Sequence, residues 1–422
     1  MPFASASRAF FVAALVDLAA AGALLLAGSV GGALAVHWEL LLWLLLVGFV
    51  GGTTAGFSLH LFPVVARRLP PPAWAGPAAF LLLEAGLLLG AAGLSKEGGR
   101  PGSDPLFALG AFLFLLGEAT LGAAFLCGLR APRLTTPGPE PRPADAATLP
   151  LLVGAWLAAI GAGGLFLLSA SGSGPGFGWW IAAVHLFVLG HAVVLIAAVA
   201  LRLLPRSANV DVPRPVALLL AGLALTGATA VPTGMLAASR LPVDGLDLLA
   251  APEAAFAALF VAVLGGLALR ARARRAETGL YLASGTLLLV AGAIGLAMAA
   301  GSVRFLVESH AFLGLLGFVG LTILATWFGL IAPFQRISHA WTRRMLGLLT
   351  GVWILGVGVA AAAGDPGSSA TGGLGPWAGA LLLAVAVAWL AGTAPVLYPR
   401  LNPLPGWTSE EIRALRQRGR DR

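Results

Sequence analysis

Three histidines in apolar stretches of the chain are the residues best suited to metal chemistry. They are His37, His185 and His310, and His310 lies about one turn inside an apolar run of roughly 23 residues, long enough to span a bilayer. An ionisable side chain inside a membrane helix is costly unless it binds or pairs with something. Because imidazole ligates both haem iron and copper, all three are candidates for cofactor or metal binding. The alternative is an imidazole hydrogen-bonded between helices or, for His37, an interfacial one.

Two further histidines could contribute to such a site or form another. His191 lies six residues after His185, about 9 Å deeper along a helix and about 120° around it, so the two would not easily share one metal ion. His60 belongs to the opposite end of its apolar run. It is therefore a candidate for a second site near the other membrane face.

Acidic residues fall into two groups. Glu39 and Glu308 are close in sequence to two of the histidines and could orient an imidazole N–H as hydrogen-bond acceptors. Asp17, Glu84 and Glu118 lie inside apolar runs, where a carboxylate is costly unless it is protonated, paired or hydrated. These three indicate a proton or cation path, or else protonated carboxyls bonded to a neighbouring helix.

Composition defines the elements that carry these residues. The 422-residue chain is 59% hydrophobic and only 10% charged, whereas about a quarter of residues are charged in soluble domains. It is therefore predicted to be an all-α, multi-pass protein of the cell (inner or plasma) membrane, and its net charge of +8 is no indication of nucleic-acid binding. Its single cysteine excludes an internal disulfide and a CxxC motif. The apolar runs predict twelve transmembrane helices, at 9–29, 39–65, 74–94, 106–128, 149–169, 179–203, 215–237, 253–270, 279–300, 305–333, 345–363 and 376–398.

Basic residues indicate the orientation of these helices. All but four of the 26 lysines and arginines lie near the termini or in connections after even-numbered helices; the four others are Lys96, Arg100, Arg240 and Arg304. By the positive-inside rule, both termini are cytoplasmic. Trp38, Trp179 and Trp180 fall at the outer interface, where aromatic anchors are expected.

A glycine motif suggests an internal repeat. Residues 48–53 read GFVGGT and residues 317–322 read GFVGLT, with a weaker match around Gly190, and a histidine precedes each motif. The spacing of about four helices predicts three pseudo-repeated four-helix units within one transmembrane domain, with binding sites where units meet. The units cover approximately 1–130, 148–270 and 279–400, with a proline-rich cytoplasmic linker at 131–147 and a basic cytoplasmic tail at 401–422.

Two of these stretches resemble a known superfamily. The sequence HAFLGLLGFVGLTILATWFGLIAP is similar to the tenth helix of haem-copper oxidase subunit I, and also resembles the NnrS family of twelve-helix membrane proteins. The stretch GFVGGTTAGFSLHLFP resembles the second helix of the NnrS family. The resemblance implies haem b between helices 2, 6 and 10 near the outer leaflet. It makes His310 the leading axial ligand and places copper, if present, near His185 and His191.

The chain also departs from that pattern. Phe312 stands where the second histidine of helix 10 is expected, and Leu41 and Trp43 stand where helix 2 histidines are expected. No His-His pair occurs, so the three-histidine copper site of an oxidase cannot be assembled as in the family. The resemblance therefore implies a divergent relative and not a complete terminal oxidase.

Three functions remain open on these grounds. The first is a haem-binding protein that takes part in electron transfer or in the handling of nitric oxide or another diatomic gas. Such a protein could be an enzyme or not, and it would have other membrane subunits or an electron-transfer partner. The second is a structural subunit of a respiratory complex that has lost its cofactors. The third is a transporter of copper or another cation that uses the same histidines with the intramembrane acids.

Overall fold

The computed structural model consists of helices throughout its described parts, which are residues 5–31, 38–65, 71–96, 104–130, 141–171, 176–237, 246–271, 275–301, 307–331, 339–363 and 375–397. Within them, twelve helices are long and apolar enough to span a membrane, which confirms the predicted multi-pass all-α class. We number them α1 to α12. Their bounds are Ser5–Gly31, 38–65, Ala75–Leu94, Pro105–Arg130, Asp145–Ala170, 176–208, Arg214–Ala237, Leu246–Arg270, Arg275–Ala299, 307–331, His339–Ala363 and Gly375–Leu397.

Several helices begin earlier than the apolar runs predicted, and α5 and α8 are two of them. Helix α5 starts at Asp145 and not at 149, because the Asp145 carboxylate accepts the backbone N–H of Arg142 and so stabilises the first turn. Helix α8 starts at Leu246 and not at 253. The earlier start places Glu253 two turns inside the helix instead of at its end.

Three of the twelve helices form the centre of the bundle. In α2, α10 and α6, 94%, 83% and 72% of the apolar window is buried, whereas the other nine spans bury 22–44%. Each central helix has an apolar surface on almost every side, which is typical of a helix surrounded by protein. The outer helices enclose them, with α1 packed on α12 and α3 packed on α4.

Each central helix contains an eight-residue π-helical segment. These are Leu44–Gly51 in α2, Leu186–Val193 in α6 and Leu313–Gly320 in α10, and α10 has a further π segment at Thr326–Ile331. The glycine of the sequence motif occupies the fifth position of each eight-residue segment, as Gly48, Gly190 or Gly317. π-Helical turns are rare and are frequently found at functional sites.

The three eight-residue π segments contact one another in pairs at the middle of the bundle. Their motif glycines face outer helices instead, since a Cβ on Gly48 would meet Asp17 of α1, and Cβ atoms on Gly190 and Gly317 would meet residues of α5 and α9. The centre of the protein is therefore made of the wider helical turns of α2, α6 and α10. Residues just before these segments, including His185 and His310, lie at one common end of the bundle core.

Glycines also determine how closely the outer helices pack. A Cβ atom on Gly110 of α4 would overlap the backbone of Gly90 in α3 and lie 2.7 Å from the carbonyl oxygen of Gly86. A Cβ atom on Gly379 of α12 would overlap the backbone of Leu26 in α1 in the same way. Because backbone atoms cannot rotate away, these contacts fix the distance between the helix axes.

Gly110→Ala is expected to lower the stability of the protein by about 1–3 kcal/mol, because α3 and α4 must move apart to accept the methyl group. The measurement is the thermal unfolding midpoint of the detergent-purified protein. Gly222→Ala is the matched control, since no atom lies within 4 Å of the added methyl group. Equal midpoints for the two variants would contradict the close packing of α3 on α4.

Candidate functional site

His310 is held against α9 by a hydrogen bond to the backbone. Its Nδ1 lies 2.8 Å from the carbonyl oxygen of Ala291. One turn further along α9 is Gly295, where a Cβ atom would lie 2.8 Å from Cε1 of the imidazole. The missing side chain at Gly295 therefore makes room for the ring to reach the Ala291 carbonyl.

His185 lies opposite His310 on α6. Its Nδ1 is 2.9 Å from the carbonyl oxygen of Ile181, one turn earlier in the same helix. The two imidazole rings are almost parallel, with an angle of 17° between their planes and 6.1 Å between their centroids. The structure thus brings together two of the three histidines that the sequence singled out.

The hydrogen bonds define the state of both rings. A carbonyl oxygen only accepts, so Nδ1 carries the proton in His185 and in His310. In a neutral imidazole the lone pair then belongs to Nε2. Neither Nε2 has a hydrogen-bond partner among the described residues. This is the usual state of a histidine ligand, whose second nitrogen is fixed by a carbonyl group while Nε2 faces the metal.

The pair has no third protein ligand in the described part of the chain. No group of three His, Cys, Asp or Glu side chains there could hold a metal ion. His37, the third predicted ligand, lies outside the described residues. What the structure offers is therefore a two-imidazole site between α6 and α10.

Glu308 and Glu39 were predicted to orient the histidines next to them in the sequence, His310 and His37, and His37 lies outside the described residues. Glu308 is half-buried in the first turn of α10, and the Nδ1 position of His310 is occupied by the Ala291 carbonyl instead of this carboxylate. Glu39 is half-buried in the first turn of α2. The orienting groups of both paired histidines are backbone carbonyls.

An aromatic cluster occupies the position where the resemblance expects a histidine on helix 2. The Trp43 indole donates a hydrogen bond to the carbonyl oxygen of Leu87, 3.0 Å away, and its ring lies 6.0 Å from that of Trp180. Trp180 is fully buried, so its predicted role as an interfacial anchor is wrong. Leu41 and Phe312, at the other two expected histidine positions, are also buried. The space around Trp43 is thus filled by protein.

His191 makes a separate interhelical link. It is fully buried, its Nδ1 lies 3.0 Å from the carbonyl oxygen of Ala155 in α5, and its Nε2 lies 3.1 Å from Oγ1 of Thr54 in α2. Nδ1 therefore donates to the carbonyl, and Nε2 competes with the carbonyl oxygen of Gly51, 3.0 Å from Oγ1, for the single proton of the Thr54 hydroxyl. Since both nitrogens have protein partners, this histidine joins α2, α5 and α6 and is not available as a ligand without breaking a bond. His60, the fifth histidine candidate, is half-buried in α2 toward its C-terminal end.

The intramembrane acids include one that sequence analysis missed. Asp17 of α1 packs on the π segment of α2, where a Cβ on Gly48 would lie 2.7 Å from Oδ2. Glu118 is buried and its Oε2 has no hydrogen-bond partner among the described residues, and Glu84 is half-buried. Glu253 of α8 is also buried, with neither carboxyl oxygen partnered. The late start predicted for α8 concealed Glu253, which a longer helix would have placed inside the membrane.

Thr54→Val should destabilise the protein by about 1–3 kcal/mol, because it leaves Nε2 of the buried His191 without a partner. Thr229→Val is the matched control, since the Thr229 hydroxyl is exposed and bonds only within its own helix. The thermal unfolding midpoints of the two variants measure the difference. A Thr54→Val midpoint equal to that of the control would show that the His191–Thr54 bond contributes nothing to stability.

Comparison of the chain with protein-family models and curated proteins found no relative. No family model matches the chain, and no curated protein matches it. The paired imidazoles of His185 and His310 are consequently the strongest basis for a functional proposal.

Proposed function

We propose that the protein binds haem b through His310 and His185 and serves in electron transfer within the membrane. The single observation that supports this is the pair of near-parallel imidazoles, each with Nδ1–H donated to a backbone carbonyl. Two neutral imidazoles on separate helices form a suitable donor set for haem iron. The resemblance of α2 and α10 to haem-copper oxidase subunit I and to the NnrS family points in the same direction.

The two rings lie close enough for one bound group to contact both of them. Their centroids are 6.1 Å apart. The imidazole lone pairs lie in the ring planes, so an iron bound by both Nε2 atoms would lie at the ring edges and not between the ring faces.

Each residue of the site has a defined task in this proposal. His310 and His185 hold the iron, and the Ala291 carbonyl and the gap at Gly295 keep the His310 ring in position. Haem supplies reversible one-electron chemistry when bound. If both imidazoles bound the iron, the site would favour electron transfer over binding of nitric oxide or another diatomic gas.

Copper is the second candidate for the same pair of imidazoles. Imidazole nitrogen is a good copper ligand, and two opposed nitrogens could hold one ion without a porphyrin. The absence of a third ligand among the described residues makes this site unlike the three-histidine copper site of an oxidase.

The proposal includes repeated units and an orientation. The common position of Gly48, Gly190 and Gly317 in three equal π segments supports three related four-helix units. The distribution of arginines supports cytoplasmic termini in a cell membrane.

The absorption spectrum of the purified protein, oxidised and dithionite-reduced, tests the site. We expect a Soret band with sharp reduced α and β bands, because two axial imidazoles give a low-spin haem. His310→Ala and His185→Ala should each abolish these bands, whereas His60→Ala, on the far half of α2, should leave them unchanged. Gly295→Val should broaden or weaken the bands, because its side chain displaces the His310 ring.

Two other outcomes would decide against haem. The first is a spectrum without a Soret band together with about one copper ion per protein. If this copper is lost in both histidine variants, the site binds copper and not haem. A colourless and metal-free protein, even after growth with excess haem, would favour the structural subunit of a respiratory complex.

Side-specific labelling tests the orientation. In a Cys127→Ala background, Asn209→Cys should react with a membrane-impermeant maleimide only after the cytoplasmic face is exposed, since Asn209 lies at the arginine-rich end of α6. Ser95→Cys, exposed at the opposite end of α3, should react from outside intact cells. The reverse pattern would contradict the proposed topology.

Cation transport remains a candidate because of the buried acids. Glu118 and Glu253 have carboxyl oxygens without partners among the described residues, which is the state expected of groups that take up a proton or cation. Loss of cation uptake in Glu118→Gln and Glu253→Gln, with an unchanged absorption spectrum, would favour transport over electron transfer.

A further inference from the structure

A cavity in the other half of the bundle lies between α2, α5 and α6. It has a volume of about 30 Å³ and is lined by Phe57, Ser58, Leu61, Leu152, Trp156, Leu195 and Val199. A space of roughly 10–15 Å³, measured in the same way, is enough for one water molecule. The cavity is therefore large enough for about two.

The cavity wall holds a hydroxyl group that needs such a partner. Ser58 is 9% exposed, and its buried Oγ has no hydrogen-bond partner in the part of the chain that the structure describes. One turn before Leu152 on α5, Thr148 is likewise buried with an unpartnered Oγ1. A buried hydroxyl without a partner costs about 1–3 kcal/mol, which a bound water would remove.

The His191–Thr54 bond lies near the cavity, because the ring of Trp156, which lines the cavity, is 5.0 Å from the ring of His191. Thr54 is one turn before Ser58 on α2, and His191 is one turn before Leu195 on α6. The Thr54 hydroxyl oxygen is 3.1 Å from Nε2 of His191. This oxygen can accept a hydrogen bond while its proton is directed to the imidazole.

Beyond the cavity, toward the arginine-rich end of the bundle, lies an ion-pair cluster. Arg202 follows Val199 by three residues on α6 and pairs with Asp145, which precedes Thr148 by three residues on α5. Arg206 also bonds this carboxylate, at 2.7 Å and 2.5 Å. His191 and Arg202 are thus joined by one continuous face of α6, about 16 Å long.

We infer that α2, α5 and α6 enclose a hydrated passage that leads from the Asp145–Arg202 pair through waters on Thr148 and Ser58 to Thr54 and His191. Its ligand is water, and its consequence is that His191 exchanges protons with the arginine-rich side of the membrane. Every polar group along the passage then has a partner. The inference does not depend on haem or copper at His185 and His310.

Hydroxyl-radical footprinting with mass spectrometry tests the hydration, because radicals made from a bound water oxidise the side chain beside it. Trp156, which lines the cavity and is 3% exposed, should be oxidised at least fivefold faster than Trp180, which is fully buried in the aromatic cluster. Ser58→Leu fills the cavity and should reduce Trp156 to the rate of Trp180. Ser58→Ala and Thr148→Val add no bulk, and each should partly lower the oxidation rate of Trp156. These two variants replace Ser58→Leu in the test if that variant does not fold.

Equal oxidation of Trp156 and Trp180 in the wild-type protein would overturn the inference, as would an unchanged rate in the folded variants. A thiol at position 58 tests the direction of access. In a Cys127→Ala background, Ser58→Cys should react with Ag⁺, which is about the size of a water molecule, from the side at which Asn209→Cys is labelled. Reaction from the opposite side alone, or from neither side, would also overturn the passage.

Discussion

The mutual contact of three π-helical segments is the constraint on which the structure depends. A helix inside a membrane must satisfy its backbone hydrogen bonds within itself, because lipid offers no alternative partner. The central helices also satisfy their backbone hydrogen bonds internally, but in the π segments each bond joins residues five apart instead of four. The π segments of α2, α6 and α10 contact one another in pairs, while their motif glycines face outer helices. They also rotate the parts of each helix before and after the segment relative to one another.

Two kinds of histidine lie on different faces of α6. His185, just before the π segment, faces His310 of α10, whereas His191, inside it, bonds to α5 and α2. Both use Nδ1 to donate to a backbone carbonyl, and the difference lies in Nε2. In His191 this nitrogen is engaged by Thr54, so it contributes to packing, and in His185 it remains available for a ligand.

Much of the architecture could be predicted from the sequence, because the length of an apolar run is directly tied to the thickness of a bilayer. All twelve spans and the central histidine positions on α6 and α10 follow from this relation. The π segments could not be predicted, since no residue pattern distinguishes bonds of four from bonds of five. The pairing of His185 with His310 depends on helix rotation and was hidden for the same reason. Trp180 was predicted at the membrane interface because apolar periodicity does not distinguish a helix end that faces lipid from one that other helices cover. Glu253 was missed because a proline and an acidic residue near the start of α8 made the predicted helix too short.

The eight-residue π segments also bear on how such a chain can change over evolution. In an ordinary membrane helix, insertion or loss of one residue rotates everything beyond it by about 100° and lengthens or shortens the span. A segment that already carries additional residues in its turns can absorb such a change by converting between the two hydrogen-bond patterns. The stretches around Gly48, Gly190 and Gly317 are therefore places where the chain can gain or lose a residue while both ends of the helix keep their neighbours. Homologous chains would then differ in length inside their most buried helices, where insertions and deletions are otherwise least tolerated.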